Sequence, residues 1–538
     1  VSRRDLLELE STDASLKKQG LIWTVKFLTH LSDADDADAE RQLLVSVHDT
    51  ELVSKFALEK AGCNLGACAA TDLLQATSGA NIKVDTRVGE VMRVQPRTND
   101  DVNEEWISDK TRFAVDGLKR QRLDMPLLRG ANGALAPCTW QDALAAAAGA
   151  LEGATRGRVG VVAGPLVELE ALVALKDLFN KMGSTTTHSS GSAIGSADLR
   201  ANYTLNATIA GIEDADAILL VGTNPRVEAP LVNTRIRKMV RHANVRVGLV
   251  GPEQTDLSYE YEALGASVSD LANVSKSDFG KHLASAKRPL ILVGAGALER
   301  VDGAAIGSLA RSLAITSGCL TDDGTDGGWN GYSVLQRSAG ATGALDIGFT
   351  PGPTAVPISE VEVLYLAGAD EPLPTSDKKP YVIYHGHHGD AGAAAADLVL
   401  PGAAYTEKAA TYVSTEGRLN RTARALDPPG EAREDWTIVV ALSHALKAPL
   451  PYSTSGAVRA RLAEVAPHLE QGRIGEIEPS SGALAKLALE FESNGAADAK
   501  HGGGAPLASA VTNFYMSDPV SRASATMAKC AQVFGPRV

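Results

Sequence analysis

From residue 158 onward the chain repeats one theme. A short run of β-branched and aliphatic residues ends near Gly or Pro, and a stretch with helical spacing follows. The runs are Val159–Ala163, Ala217–Val221, Val245–Val250, Leu290–Val293, Val361–Leu366, Tyr381–Tyr384 and Leu398–Leu400. They do not alternate apolar with polar residues, as a half-solvated strand would. Near-continuous apolar runs belong to parallel strands covered by helices on both faces. The pattern therefore predicts α/β architecture, doubly wound, in two intertwined lobes. Ligands of such sheets meet the loops beyond the carboxyl ends of the strands. The loops of interest are Gly164-Pro165, Gly222-Thr223-Asn224-Pro225, Gly251-Pro252, Gly294-Ala295-Gly296, Gly368-Ala369-Asp370 and His385–Asp390.

The part before residue 158 reads differently. Ile82 and Val84 alternate with polar residues, Val88-Gly89-Glu90 makes a turn, and the apolar pattern returns over Val91–Val94, which predicts a β-hairpin. A polar stretch spans Arg97–Glu105. Trp140–Leu151 has helical spacing, with Thr139 placed as N-cap. Residues 1–75 are charged, with an acidic stretch at Asp33–Glu40 and an amphipathic helix predicted over Leu52–Leu58. The last hundred residues are more helical, apart from a Gly-rich stretch at Asn494–Ala505. The expected division is an amino-terminal extension (1–76), a small β-rich subdomain (77–150), two Rossmann-like lobes (151–430) and a helical tail (431–538).

Composition narrows the partners. Lys and Arg number 52 against 65 Asp and Glu, a balance of −13, which argues against nucleic acid, since phosphate contacts need clustered positive charge. No run approaches the ~18 apolar residues of a membrane span, so membrane contact is expected only through a partner. Five cysteines in 538 residues are too few for a disulfide framework and point to a reducing compartment. The opening Val1-Ser2-Arg3-Arg4 reads as the trimmed end of an organelle presequence or as an arbitrary boundary.

Little in the sequence carries chemistry by itself. Gly294-x-Gly296 follows a strand, but Glu299 stands where the dinucleotide fingerprint needs its third glycine, so a plain strand-to-helix turn is the better reading. His385, His387, His388 and Asp390 could be read as a metal cluster. Adjacent histidines on an extended segment should point apart, however, and no Cys/His set of matching spacing accompanies them. Cys63-x4-Cys68 lacks the spacing of redox and zinc pairs. Neither a G-x-S-x-G elbow nor a P-loop occurs. No catalytic residue and no metal ligand is expected.

Several long strings add a resemblance. Gly79–Arg93, Asn103–Phe113, Asp116–Leu123, Thr208–Gly211, Val221–Arg226 with Glu228–Pro230, Gly386–Asp390, Ala396–Arg418, Arg433–Trp436 and Phe514–Ser524 stand in collinear order. Together they closely resemble the large iron–sulfur subunit family of mitochondrial respiratory complex I, from about residue 77 to the end. The resemblance implies a molybdopterin-oxidoreductase-like fold. It also implies a place in the peripheral arm of NADH:ubiquinone oxidoreductase, on the matrix side of the inner mitochondrial membrane.

That family opens with a ferredoxin-like region whose cysteines hold iron–sulfur clusters. Residues 1–76 supply only Cys63 and Cys68, and a [4Fe–4S] cluster normally takes four ligands. The resemblance therefore implies a split subunit: no cofactor on this chain, and clusters on a separate ferredoxin-like partner chain. The wider molybdopterin family carries a four-cysteine motif. Its positions fall here on Leu73, Ala76, Ala80 and Ser108, none of them a thiolate, while the motif's Lys110 and Arg112 remain. The stretch matching the family's metal ligand, Thr185–Ser196, has His188 and serines but no cysteine.

The family's cofactor site is thus implied to be vestigial. Its positions are Gly222, Thr223, Asn224, Glu416, Gly417 and Arg418, with Glu407 and Thr415 on the second lobe. The implied role is structural and non-catalytic, supporting electron transfer from NADH to ubiquinone, with Trp106, Arg112, Phe113, Arg120 and Arg122 as candidate interface anchors because Trp and Arg are enriched at interface hot spots. Whether the isolated chain counts as an enzyme is left open. The competing expectations are a pterin-dependent oxidoreductase of formate-dehydrogenase type and a nucleotide-binding sensor module.

Overall fold

The computed structural model describes residues 79–190, 197–321, 328–370, 379–471, 485–486 and 506–534. The helix predicted over Leu52–Leu58, the acidic stretch and the Gly-rich stretch lie outside the described residues, as do Leu73 and Ala76.

The predicted hairpin forms from β1 (Ile82–Arg87) and β2 (Glu90–Pro96), paired antiparallel. Val88 and Gly89 make its turn with φ of 49° and 74°, a left-handed pair that matches the twist of the flanking strands. The short strands β3 (Leu127–Arg129) and β4 (Leu135–Pro137) come next. The helix Trp140–Gly153 follows, capped as expected by Thr139, whose hydroxyl accepts from the Asp142 amide.

All seven apolar runs are strands. They are β5 (Val159–Ala163), β7 (Ala217–Val221), β8 (Arg246–Val250), β10 (Pro289–Gly294), β14 (Val363–Ala367), β15 (Tyr381–Gly386) and β16 (Leu398–Pro401). Between and around them lie β6 (Thr187–Ser189), β9 (Glu262–Ala263), the small pair β11 (Leu320–Thr321) and β12 (Trp329–Asn330), and β13 (Tyr332–Leu335). A short antiparallel pair, β17 (Thr411–Val413) and β18 (Leu419–Arg421), closes the set.

Two large sheets result. The first has the order β4-β3-β16-β15-β14-β5-β6, parallel from β16 to β6 with β3 and β4 added antiparallel at one edge. The second, β13-β10-β7-β8-β9, is parallel throughout. In both, alternate residues of each central strand enter different apolar clusters. Leu219, Val221, Ile291 and Val293 pack to one side of the second sheet, and Ile218, Leu220, Leu290 and Leu292 to the other. Both faces are covered, which is why the runs show no polar alternation. Burying each of these side chains is worth roughly 1.5–3 kcal/mol.

Each sheet reverses its winding once. In the first, the chain moves outward from β5 to β6 on one side and through β14, β15 and β16 on the other, so the switch point lies between β5 and β14. In the second it lies between β7 and β10. These two places are where a doubly wound sheet opens a ligand crevice.

Behind the hairpin, Asp109–Phe113 and Ala114–Lys119 form two short helical turns. The carboxyl-terminal helix Pro519–Ala523 lies against them so closely that a Cβ on Gly117 would come 2.0 Å from the Val520 carbonyl oxygen.

Candidate functional site

At the first switch point the two backbones meet directly. A Cβ on Gly164 would fall 1.8 Å from the Gly368 carbonyl oxygen, and the Gly164 amide donates to Ala367 at 2.7 Å. Beyond this contact lies a buried row of ionisable groups. Lys408 Nζ is 2.5 Å from both Glu168 Oε2 and Asp435 Oδ2. Asp435 Oδ1 is 2.9 Å from His385 Nε2, and His385 Nδ1 is 2.9 Å from the Tyr365 hydroxyl. Beside it, Glu170 accepts from the Thr411 amide and hydroxyl and from Arg459 at 2.7–2.8 Å.

Local structure explains the placement. Glu168 is the N-cap residue of helix Leu169–Lys181 and Asp435 opens helix Asp435–Ala445. Both carboxylates therefore sit at positive helix ends. His385 and Tyr365 project from the neighbouring strands β15 and β14. Burial pushes the Glu168 carboxyl up to about 8, and the adjacent Asp435 charge adds to this against the pull of Lys408. Burial also works against ionised Asp435, but Lys408 and His385 hold it well below the ordinary carboxylate range. One buried ammonium thus faces one ionised and one largely protonated carboxyl, the usual resolution when two carboxyls share a site. The cavity left beside the row, between Val167, Gly368, Gly386 and Lys408, measures about 20 Å³, room for one water molecule.

The histidine segment departs from expectation. His387 and His388 do not point apart: their Nδ1 atoms lie 2.5 Å from each other and the rings stand nearly perpendicular. The reason is that β15 ends at Gly386 and the chain bends at His387, so the segment is not extended. His388 Nε2 lies 2.9 Å from the Gly117 carbonyl oxygen. Burial lowers both imidazoles, His387 far below its usual range and His388 to about 4. Among the described residues no group of three His, Cys, Asp or Glu is arranged to hold a metal ion.

The sequence-predicted cofactor positions fall on one rim but in two places. Gly222, Thr223 and Asn224 follow β7. The Thr223 hydroxyl donates to Glu228 Oε2 at 2.8 Å and the Asn224 amide to Glu228 Oε1 at 3.1 Å. Glu416, Gly417 and Arg418 form the turn between β17 and β18, over the end of β13. There the Thr415 hydroxyl donates to Val334 and accepts from the Gln336 amide. Two strand positions, about 10 Å, separate β7 from β13. Glu416 accepts from Arg418 and from the Ile209 amide, and Arg200 donates to the Gly417 carbonyl. Gly294-x-Gly296 is the plain strand-to-helix turn expected, leading into Ala295–Leu298.

Of the candidate anchors, Trp106 (59% exposed) and Phe113 (50%) present their rings to solvent, Arg120 is exposed and Arg112 half-buried. Arg122 corrects the expectation. Its guanidinium makes a bidentate pair with Glu407 at 2.5 and 2.6 Å and donates to the Leu118 and His387 carbonyls, so it is an internal strut. Ser108, at the fourth cysteine position, caps helix Asp109–Phe113 by accepting from the Thr111 amide. Lys110 of the same motif donates to the Ser517 hydroxyl and lies 3.8 Å from Asp518, tying in the carboxyl-terminal segment.

The family model described as molybdopterin oxidoreductase matches residues 122–445, more than half of the chain. The chain belongs to the molybdopterin oxidoreductase family. Two further family models flank this match in the molybdopterin-family chain. One is described as "NADH-ubiquinone oxidoreductase NDSU1/NuoG-like, 4Fe-4S domain" (residues 67–116). The other describes the carboxyl-terminal region of an NADH-ubiquinone oxidoreductase polypeptide (residues 476–530).

Three curated relatives are similar over most of the chain. The mitochondrial NADH-ubiquinone oxidoreductase 78 kDa subunit of Candida albicans is 47% identical over 87% of this chain and 64% of its own length. The mitochondrial NADH dehydrogenase [ubiquinone] iron-sulfur protein 1 of Solanum tuberosum is 42% identical over 89% and 63%. The NADH-ubiquinone oxidoreductase 75 kDa subunit of Reclinomonas americana is 40% identical over 85% and 67%. The chain thus spans a little under two thirds of the first two.

The match at 67–116 qualifies the expectation that no cofactor belongs to this chain, because that family model is named for a 4Fe-4S domain. Within the span the sequence has one cysteine, Cys68, where a cluster normally takes four ligands. For the family's pterin group the fit is poor. The first crevice leaves about 20 Å³, and the polar groups of the second are engaged by the chain's own side chains.

Sequence reasoning missed Glu168, Lys408 and Asp435 as a unit. The available signal was local: Glu168-Leu169-Glu170 opening a helix directly after a strand loop, and the charged pair Glu407-Lys408 between the small residues Ala403-Ala404 and Ala409-Ala410.

Proposed function

We propose that this chain is a structural, non-catalytic portion of the large iron–sulfur subunit in the peripheral arm of NADH:ubiquinone oxidoreductase, on the matrix side of the inner mitochondrial membrane. It supports electron transfer from NADH to ubiquinone by bracing iron–sulfur centres held by other peripheral-arm polypeptides, foremost a cysteine-rich, ferredoxin-like chain. The observation that carries the reading is a first switch-point crevice filled by the Glu168–Lys408–Asp435–His385 row, in a chain whose relatives bear that enzyme's name. With room for about one water, the crevice offers no substrate a place beside these groups.

The face proposed for the cluster-bearing partner is the 77–125 region, with Trp106 and Phe113 as apolar anchors and Arg112 and Arg120 as polar ones. Among the described residues no helix is long and apolar enough to cross a membrane, which fits attachment through partners.

The test is native-gel separation of detergent-solubilised mitochondria, with mass spectrometry of the band that contains this chain. The expected result is a megadalton-scale band holding flavoprotein, quinone-site subunits and a cysteine-rich chain. Migration alone or in a small complex, with molybdenum or tungsten bound, would overturn the reading in favour of a pterin enzyme.

A further inference from the structure

The second switch point, between β7 and β10, is covered by a piece of the chain's own carboxyl-terminal region. Leu507 is fully buried in the same apolar cluster as Val221, Ala295 and Ala297. Its amide donates to the Ala266 carbonyl at 2.7 Å, and Arg300 donates to Pro506 at 3.2 Å. The Ala508 carbonyl oxygen sits where a Cβ on Gly296 would be, at 1.6 Å, so the segment runs directly over the second glycine of Gly294-x-Gly296.

The polar groups of the β7 loop are engaged as well. Glu228 is almost completely buried and accepts from the Thr223 hydroxyl and the Asn224 amide; burial pushes its carboxyl up, opposed by the neighbouring Ser509 hydroxyl. An amide and a hydroxyl at the first turn after a strand are the donors an incoming phosphate would need. Here the chain's own buried Glu228 side chain holds them, with Ser509 of the covering segment beside it.

We propose that Pro506–Ser509 acts as an internal ligand, docking permanently in the second crevice and, together with the Glu228 carboxylate, excluding a nucleotide-bearing cofactor from this lobe. The contacts divide the work. Leu507 supplies the apolar anchor, its amide pairs with the loop after β9 and the Ala508 carbonyl lies over Gly296. Docking also ties the tail to the second lobe.

Hydrogen exchange of the full chain read by mass spectrometry, with millimolar GDP as the nucleotide probe in a parallel thermal-shift assay, tests this. In the unaltered chain, peptides covering 506–511 should exchange about 100-fold or more slower than a free peptide, and GDP should leave the melting temperature unchanged. Two variants attack the contact from opposite sides: Leu507→Asp removes the anchor, and Gly296→Val collides with the Ala508 carbonyl. Each should abolish protection of 506–511, speed exchange in the 222–224 and 294–300 loops and lower the melting temperature. If Leu507→Asp does not fold, Gly296→Ala gives the milder form of the same collision and should lose part of the protection. Free exchange of 506–511 in the unaltered chain, a GDP-induced rise in its melting temperature, or undiminished protection in Gly296→Val would each overturn the proposal.

Discussion

The Lys408 ammonium lies 2.5 Å from the Asp435 carboxylate and equally close to Glu168, so one buried cation joins two helix starts that stand 27 and 240 residues away from it in the chain. Neutralising the cation would leave Asp435 with His385 alone and Glu168 without its ammonium partner, both deeply buried. Lys408→Met should therefore cost about 3–5 kcal/mol of stability. Glu168→Gln should cost far less, because that carboxyl is already largely protonated at neutral pH and the amide oxygen can still accept from Lys408. Urea denaturation of the two variants against the parent checks the asymmetry. Equal losses would mean that Glu168 is ionised in the folded chain.

The contact between Gly164 and Gly368 should tolerate no side chain. A methyl group at 164 would overlap the Gly368 carbonyl oxygen, and neither backbone can withdraw, because each loop leaves a central strand. Gly164→Ala is expected to destabilise by about 3 kcal/mol or more, whereas Gly149→Ala, where an added Cβ meets nothing within 4 Å, should be neutral or slightly stabilising. Melting temperatures of the pair decide.

His387 and His388 predict a loss of stability in mild acid. Both are held neutral in the folded chain, His388 with its imidazole lowered to about 4 chiefly by burial, opposed by its bond to Gly117 and helped by Arg122. In the unfolded chain a histidine titrates near 6.5. Between those values the unfolded state binds more protons, so the contribution is present above about pH 6.5 and lost as pH falls toward about 4. For His388 alone this amounts to about 3 kcal/mol. Denaturation midpoints measured from pH 7 to pH 4 should fall, and His388→Gln should flatten the slope. A midpoint independent of pH over that range would contradict the buried neutral pair.

Trp106 and Phe113 should matter to assembly and not to folding. Trp106→Ser and Phe113→Ser are expected to change the stability of the free chain by about 0.5 kcal/mol or less, while each weakens attachment to the cluster-bearing partner by about 2 kcal/mol. Arg122→Ala should do the reverse, costing about 3 kcal/mol of stability by stranding buried Glu407. Incorporation of each variant into the native-gel complex, set against its melting temperature, separates the two effects.

Much of the fold was legible along the chain. The seven non-alternating apolar runs and the alternating hairpin each record their own burial: two covered faces in one case, one in the other. Thr139 as a cap was legible for the same reason, since a cap is satisfied within one turn of its own position. Ser108, which the resemblance set at a cluster-cysteine position, serves as a helix cap.

Three features were decided only in the folded molecule: that β5 pairs with β14 some two hundred residues later, that Lys408 meets Glu168 and Asp435, and that Pro506–Ser509 crosses the second sheet. Periodicity reports the environment of a residue but not the identity of the segment that supplies it. Partners far apart in sequence are chosen by shape and charge complementarity, which must also outweigh the entropy of closing a long loop. The sequence by itself therefore determined where the strands lie and which faces of them are buried. The tertiary structure decided what occupies the crevices between them.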